Sequence, residues 1–254
     1  MITICLCTQK GGVAKTTTAE ALILGLRRKG YKVLGLDLDQ QGNLTNYFLN
    51  LDRDAHPRTV FDLLRGTSKP EDIIIDDILP GGIDLMFLPQ YFDMPTSSFS
   101  DLRRVLAPLS NVYDVLVIDT PPAINKVVMA GLASSDYVIM PSEPSNDSLE
   151  GLRNTTNACA AVIAGDNANL HILGVLLTKY KERYTIHAQF KELLTVTKEF
   201  PLLDTVIRES QAVNKAKVYK EDFFGKEYMH AKAVQDYRAL IKEVIAKTKL
   251  PPKQ

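Results

Sequence analysis

Gln9-Lys10-Gly11-Gly12-Val13-Ala14-Lys15-Thr16-Thr17 joins an apolar, β-rich run, Ile2 to Thr8, to a helical pattern. Backbone N–H groups converge at such a strand-to-helix turn, and the helix dipole adds positive potential, so the turn suits a phosphate. A lysine followed by two threonines at the helix start adds a charge and hydroxyl oxygens. Against the G-x-x-x-x-G-K-[ST] pattern the stretch departs twice, with Gln9 and Ala14 in place of glycines. Ala14 is expected to be helical, where its Cβ costs almost nothing; positive φ there would cost about 1–2 kcal/mol.

The turn sets the rhythm of the chain. Ala19, Leu22, Ile23 and Leu26 fall at i, i+3, i+4 and i+7, Arg27 to Lys29 suit a helix C-terminus, and Gly30 supplies the stop. Further strands are expected at Lys32 to Asp37, Ile83 to Leu88, Val115 to Asp119, Tyr137 to Pro141, His171 to Thr178 and Leu203 to Ile207. Helices are expected at Asp101 to Leu109, Asp147 to Ala164, Ile186 to Glu199 and Ala231 to Thr248, with a short one from Thr59, its cap, to Gly66. This alternation predicts an α/β fold: one doubly wound, mainly parallel sheet with helices on both faces. Residues 1–254 read as one domain without a linker, and 250–254 as a frayed tail.

Composition narrows the function. Lys plus Arg and Asp plus Glu both total 30, which argues against a wholly basic nucleic-acid binder. The distribution is uneven: residues 1–150 hold 13 basic and 19 acidic side chains, residues 151–254 hold 17 and 11. No apolar run approaches the roughly 18–20 residues of a membrane span, and no charged signal segment precedes Ile2, so a cytoplasmic protein is expected. Cys5, Cys7 and Cys159 lack disulfide-framework spacing and read as small core residues.

Two further motifs follow. Leu36-Asp37-Leu38-Asp39-Gln40-Gln41-Gly42-Asn43 ends the second strand, and its period of two puts Asp37 and Asp39 on one side, at the sheet edge where ligands bind. Val115-Leu116-Val117-Ile118-Asp119-Thr120-Pro121-Pro122 is a buried strand ending in an aspartate. By itself that ending also suits a plain turn. Three ordered motifs together point to a phosphate site.

These residues resemble the deviant Walker A ATPases of the ParA, Soj and MinD family, whose K-G-G-x-x-K-T loop carries an early signature lysine, here Lys10. The resemblance implies a P-loop NTPase fold, with ATP and Mg²⁺ as cofactors. It implies that Lys15 holds the β and γ phosphates, that Thr16 gives its hydroxyl to Mg²⁺, and that Lys10 reaches a partner's nucleotide across a dimer. Gly11, Gly12, Val13, Ala14 and Thr17 complete the cradle. The aspartate pair matches the family's D-x-D-P-Q-G-N segment, Gln40 replacing proline, so Asp39 would orient the attacking water near the metal. Asp119 would face Mg²⁺, giving a metal set of Thr16, Asp39 and Asp119. The loops after the last two strands would surround the adenine, which nominates Thr178 and Arg208; plain surface charge remains the alternative for Arg208.

The likeness covers nearly the whole chain and is nearest the short, Soj-like ParA form, with no N-terminal DNA-reading domain expected. It implies an ATPase with slow turnover that forms an ATP-dependent sandwich homodimer, binds DNA non-specifically and is stimulated by a ParB-like centromere-binding partner, segregating plasmid or chromosome on the nucleoid. Lys179, Lys181, Arg183, Lys215, Lys217, Lys220 and Lys226 are candidates for the DNA surface, against the alternative of scattered solvated lysines. The other reading is a MinD-like positioning ATPase acting at a membrane or on a protein cargo. The stripe Tyr237, Leu240, Ile241, Val244 and Ile245 is expected to pack in the core, leaving no lipid anchor. Neither cluster-binding cysteines nor a C-terminal tyrosine cluster, the marks of two related enzyme classes, is visible; a small-molecule ligase stays open.

Overall fold

Alternation along the strands builds two cores, one on each face of a single sheet. A computed structural model gives the conformation of residues 1–51 and 57–253. Its strands are β1 (Ile2–Leu6), β2 (Val33–Asp37), β3 (Ile78–Leu79), β4 (Val115–Asp119), β5 (Tyr137–Ser142), β6 (His171–Tyr180) and β7 (Leu202–Arg208). They lie in the order β3-β2-β4-β1-β5-β6-β7, all pairs parallel. The helices are α1 (Lys15–Arg27), α2 (Asn43–Phe48), α3 (Val60–Leu64), α4 (Pro70–Ile73), α5 (Leu88–Tyr91), α6 (Asp101–Leu106), α7 (Lys126–Ala133), α8 (Asn146–Ala164), α9 (Thr185–Thr197), α10 (Gln211–Val218) and α11 (Lys232–Thr248).

In β1, Ile4 and Leu6 face one side and Cys5 the other, with Cys7 just beyond continuing the second side. The first side packs on α1, α2, α10 and α11, the second on α3, α6, α7, α8 and α9. All three cysteines are buried and unpaired, as their spacing predicts. Tyr237, Leu240, Ile241 and Val244 are each 3% exposed or less, so the α11 stripe is core. Thr59 caps α3 through a capping box: its hydroxyl accepts from the Phe61 amide, and Asp62 accepts from the Thr59 amide.

Three expectations are corrected. Ile83 to Leu88 is not a strand: a 3₁₀ helix covers Ile83–Phe87, and the sheet edge is the two-residue β3. Its apolar run misled because only Leu85 and Leu88 are buried there, with Ile83, Met86 and Phe87 about half exposed. The 250–254 tail does not fray through 253: Leu250 is buried, Pro251 accepts a 2.8 Å hydrogen bond from the Tyr31 hydroxyl, and Lys253 pairs with Asp114. Gln254 lies outside the described residues. Ala14, expected to be helical, has φ 60° and ψ 30°, the left-handed region.

Candidate active site

The register gathers the motifs at the C-terminal edge of the sheet. Asp119 at the end of β4 aligns with Leu6 of β1 on one side and with Asp37 of β2 on the other. Hence the loop after β1 lies beside both aspartate-bearing strand ends, where the strand order places a ligand crevice.

The phosphate loop turns through left-handed backbone at Gly12 (φ +74°) and again at Ala14. The Ala14 carbonyl closes the first turn of α1, accepting from the Thr18 amide and hydroxyl. Thr178 was expected near the base, but the structure corrects this. It is fully buried, and its hydroxyl donates to the Val13 carbonyl at 3.0 Å, so β6 braces the loop. A cavity of about 640 Å³ opens above the loop, lined by Gly11, Gly12, Ala14, Lys15, Thr16, Thr17, Asp39 and Pro122 at one end and by Ile207, Arg208, Ser210 and Val213 at the other.

The two aspartates after β2 have separate jobs. Asp37 is buried, accepting from the Asp39 amide and from the amide and hydroxyl of Thr45. That hydroxyl accepts in turn from the Gly81 amide at 2.7 Å. A Cβ at Gly81 would lie 2.7 Å from both the Asp37 carboxyl carbon and the Asp39 carbonyl, so only glycine lets the backbone approach. Asp37 therefore fixes the turn, and Asp39, 8% exposed, reaches the cavity. The Thr45–Gly81 brace joins positions 36 residues apart and has no local signature in the sequence.

Asp119 is fully buried, and neither carboxylate oxygen has a hydrogen-bond partner. Burial, then the Asp37 charge, hold its carboxyl well above the usual carboxylate range, while Thr16 and Lys15 pull it down. An orphaned buried carboxylate beside the Thr16 hydroxyl, which shares the cavity lining with Asp39, suits a hard divalent cation with oxygen ligands, so the residues fit Mg²⁺.

Lys10 points away from its own cavity: its ammonium donates to Ser145 Oγ at 2.7 Å and lies 3.4 Å from Ser148 Oγ. Arg208 is clamped by Asp236, which accepts from its Nε and Nη2 at 2.9 and 2.6 Å, and forms one wall of the cavity. Lys217, placed with the surface lysines by sequence, lies instead in the cavity wall, donating to Thr17 Oγ1 at 2.8 Å beside Glu20. Burial pushes the Glu20 carboxyl up to about 7, against the pull of Lys217. Lys179 also lines the cavity, 3.8 Å from Glu143, and Lys181 pairs with Glu209. Arg183, Lys215, Lys220 and Lys226 are exposed, Lys215 paired with Glu227.

A parallel sheet with such a loop after its central strand, an aspartate ending the strand beside it and another on the turn after β2 define a P-loop nucleotide-binding protein. Residues 1–172 match a family model described as an AAA domain. The chromosome-partitioning ATPase Soj of Thermus thermophilus is 32% identical over 96% of this chain and 95% of its own length. The sporulation initiation inhibitor protein Soj of Bacillus subtilis is 33% identical over 74% of this chain and 77% of its own. The chain belongs to the ParA/Soj family of deviant Walker A ATPases. Among solved structures, a cobyrinic acid a,c-diamide synthase from Mycobacterium smegmatis with bound ADP and magnesium superposes with a TM-score of 0.85 at 28% identity, covering 98% of this chain and 95% of that one. A plasmid partition protein of Borrelia burgdorferi, 24% identical, shares the fold with a TM-score of 0.74 over 97% and 98% of the two chains.

Proposed function

We propose that this chain is a Mg²⁺-dependent ATPase of DNA partition that closes on ATP as a sandwich dimer, binds DNA without sequence preference and is stimulated by a ParB-like partner. One observation carries the dimer reading. Lys15 and Thr16 line the cavity, whereas the Lys10 ammonium sits outside it on Ser145 and Ser148, where it cannot serve its own nucleotide. A charge held beside the cavity and outside its lining supports a reach to a nucleotide bound by a second copy.

At the cavity Lys15 would bind the β and γ phosphates, Thr16 and the buried Asp119 beside it would hold the cation, and Asp39 would orient the attacking water from a turn fixed by Asp37. Bound Mg²⁺ supplies neutralisation of the phosphate charge. Arg183, Lys215, Lys220 and Lys226 are the exposed cations available to DNA, and Val218 and Tyr219 stand exposed beside them. The membrane-acting alternative loses support from the burial of the α11 stripe. The relatives named for partition and the one named for diamide synthesis share this scaffold; the 32% identity of a Soj protein, against 28% for the synthase, favours partition.

The test is Asp39→Ala with ATP, followed by sedimentation and DNA retention. Accumulated ATP-bound dimer on DNA with hydrolysis abolished supports the proposal; wild-type turnover, or a monomer at saturating ATP, overturns it.

A further inference from the structure

We infer that Lys217 is a nucleotide-contacting residue, held by Glu20 and Thr17 so that its ammonium meets the phosphate nearest the ribose. The inference rests on the nucleotide reading above and adds a residue to it.

Lys217 sits near the end of α10, 200 residues from the loop it touches. Its ammonium donates to Thr17 Oγ1 at 2.8 Å and lies 3.1 Å from Glu20 Oε1, an ion pair without hydrogen-bond alignment. The Lys217 side chain is 29% exposed, and Lys217 and Glu20 both line the cavity. An ammonium has three donors, so at least one is left for a ligand. Thr17, accepting from Lys217, has its own O–H free to donate to the same anion.

Glu20 gives the arrangement its purpose. It is fully buried and Oε2 has no hydrogen-bond partner, so the carboxylate sits there at a net cost. What it gains is a lysine drawn inward from α10 to the phosphate loop. The γ end of a nucleotide belongs with Lys15, Thr16 and Asp39, beneath which Asp119 is buried, and the base with Ile207 and Val213 of the strand and helix that carry Lys217's side of the cavity. Lys217 stands between them, beside Thr17, which follows the cation-holding threonine. Its contact is therefore common to ATP and ADP.

The test measures ATP, ADP and adenosine binding, with Mg²⁺, to wild type, Lys217→Met, Lys217→Arg and Glu20→Gln, with each thermal midpoint recorded without ligand. Lys217→Met is expected to weaken ATP and ADP equally, by about tenfold, the scale of a charge-assisted hydrogen bond. Adenosine binding stays unchanged, and Lys217→Arg retains most of the nucleotide affinity. Glu20→Gln is expected to weaken ATP and ADP severalfold, less than Lys217→Met, by loosening the ion pair that draws the lysine inward. Lys217→Met with unaltered ADP affinity, an equal loss for adenosine, or tighter ADP binding in Glu20→Gln would each overturn the inference. Wild type that binds no nucleotide would instead refute the proposed function itself.

Discussion

Ala14→Gly should stabilise this protein. Ala14 holds φ 60° and ψ 30°, where an L-residue's Cβ crowds the following carbonyl at a cost of about 1–2 kcal/mol. Glycine removes that crowding but gives the unfolded chain more freedom, which returns roughly 0.4–1 kcal/mol. The net gain is on the order of 0.5–1 kcal/mol. For a chain of this size it corresponds to a midpoint rise of roughly 1–4 °C. Differential scanning calorimetry of the nucleotide-free protein reads it directly, and Ala14→Val serves as the opposite control, since a β-branched residue tolerates this region poorly. An unchanged or lowered midpoint in Ala14→Gly would refute the reasoning and show that the loop relieves the strain. The loop's shape is also braced by the Val13 carbonyl, so the gain should appear without loss of nucleotide binding.

Other outcomes follow from the same contacts. Thr178→Val leaves the buried Val13 carbonyl unpaired and should cost about 1–3 kcal/mol while weakening nucleotide binding without altering base preference; a changed ATP-to-GTP preference at full stability would restore a base-contact role. Asp119→Asn should raise the midpoint of the nucleotide-free protein above neutral pH and remove the Mg²⁺ dependence of ATP binding, checked by calorimetry with and without chelator. Glu20, raised from 4.5 to about 7, keeps its proton in the folded chain after the unfolded chain has lost it. The stability this gives is complete below about 4.5 and is lost as pH rises through about 7, on the order of 3 kcal/mol over the window. Glu20→Gln should therefore flatten midpoint against pH across that range, and an unchanged slope would contradict the assignment.

Much of this architecture was legible in the sequence because its signals are local. The period of two along β1 and β4 sorts side chains between two cores, and the 3.6-residue spacing in α1 and α11 marks their buried faces. Lys15, Thr16, Asp39 and Asp119 were legible because each stands at the end of a strand or the start of a helix, where the fold itself gathers ligands. The left-handed backbone at Ala14 was not, since alanine ordinarily avoids it and the need arises only from the closed loop. Ile83 to Leu88 is a short apolar run like the true strands, yet the edge position was already filled by Ile78–Leu79. Lys217 reads as one more surface lysine until α10 folds over the phosphate loop, and Thr178 as a loop residue until β6 meets Val13. Contacts across 165 to 200 residues leave no periodic trace.

The most direct test of the central claim is binding to non-specific duplex DNA across a salt series, with ATP, with ADP and without nucleotide, alongside anionic liposomes. The account predicts steeply salt-dependent DNA binding with ATP alone, a shallower slope in Lys215→Glu/Lys226→Glu, and no liposome binding. DNA binding indifferent to nucleotide, or liposome binding without DNA binding, would contradict it.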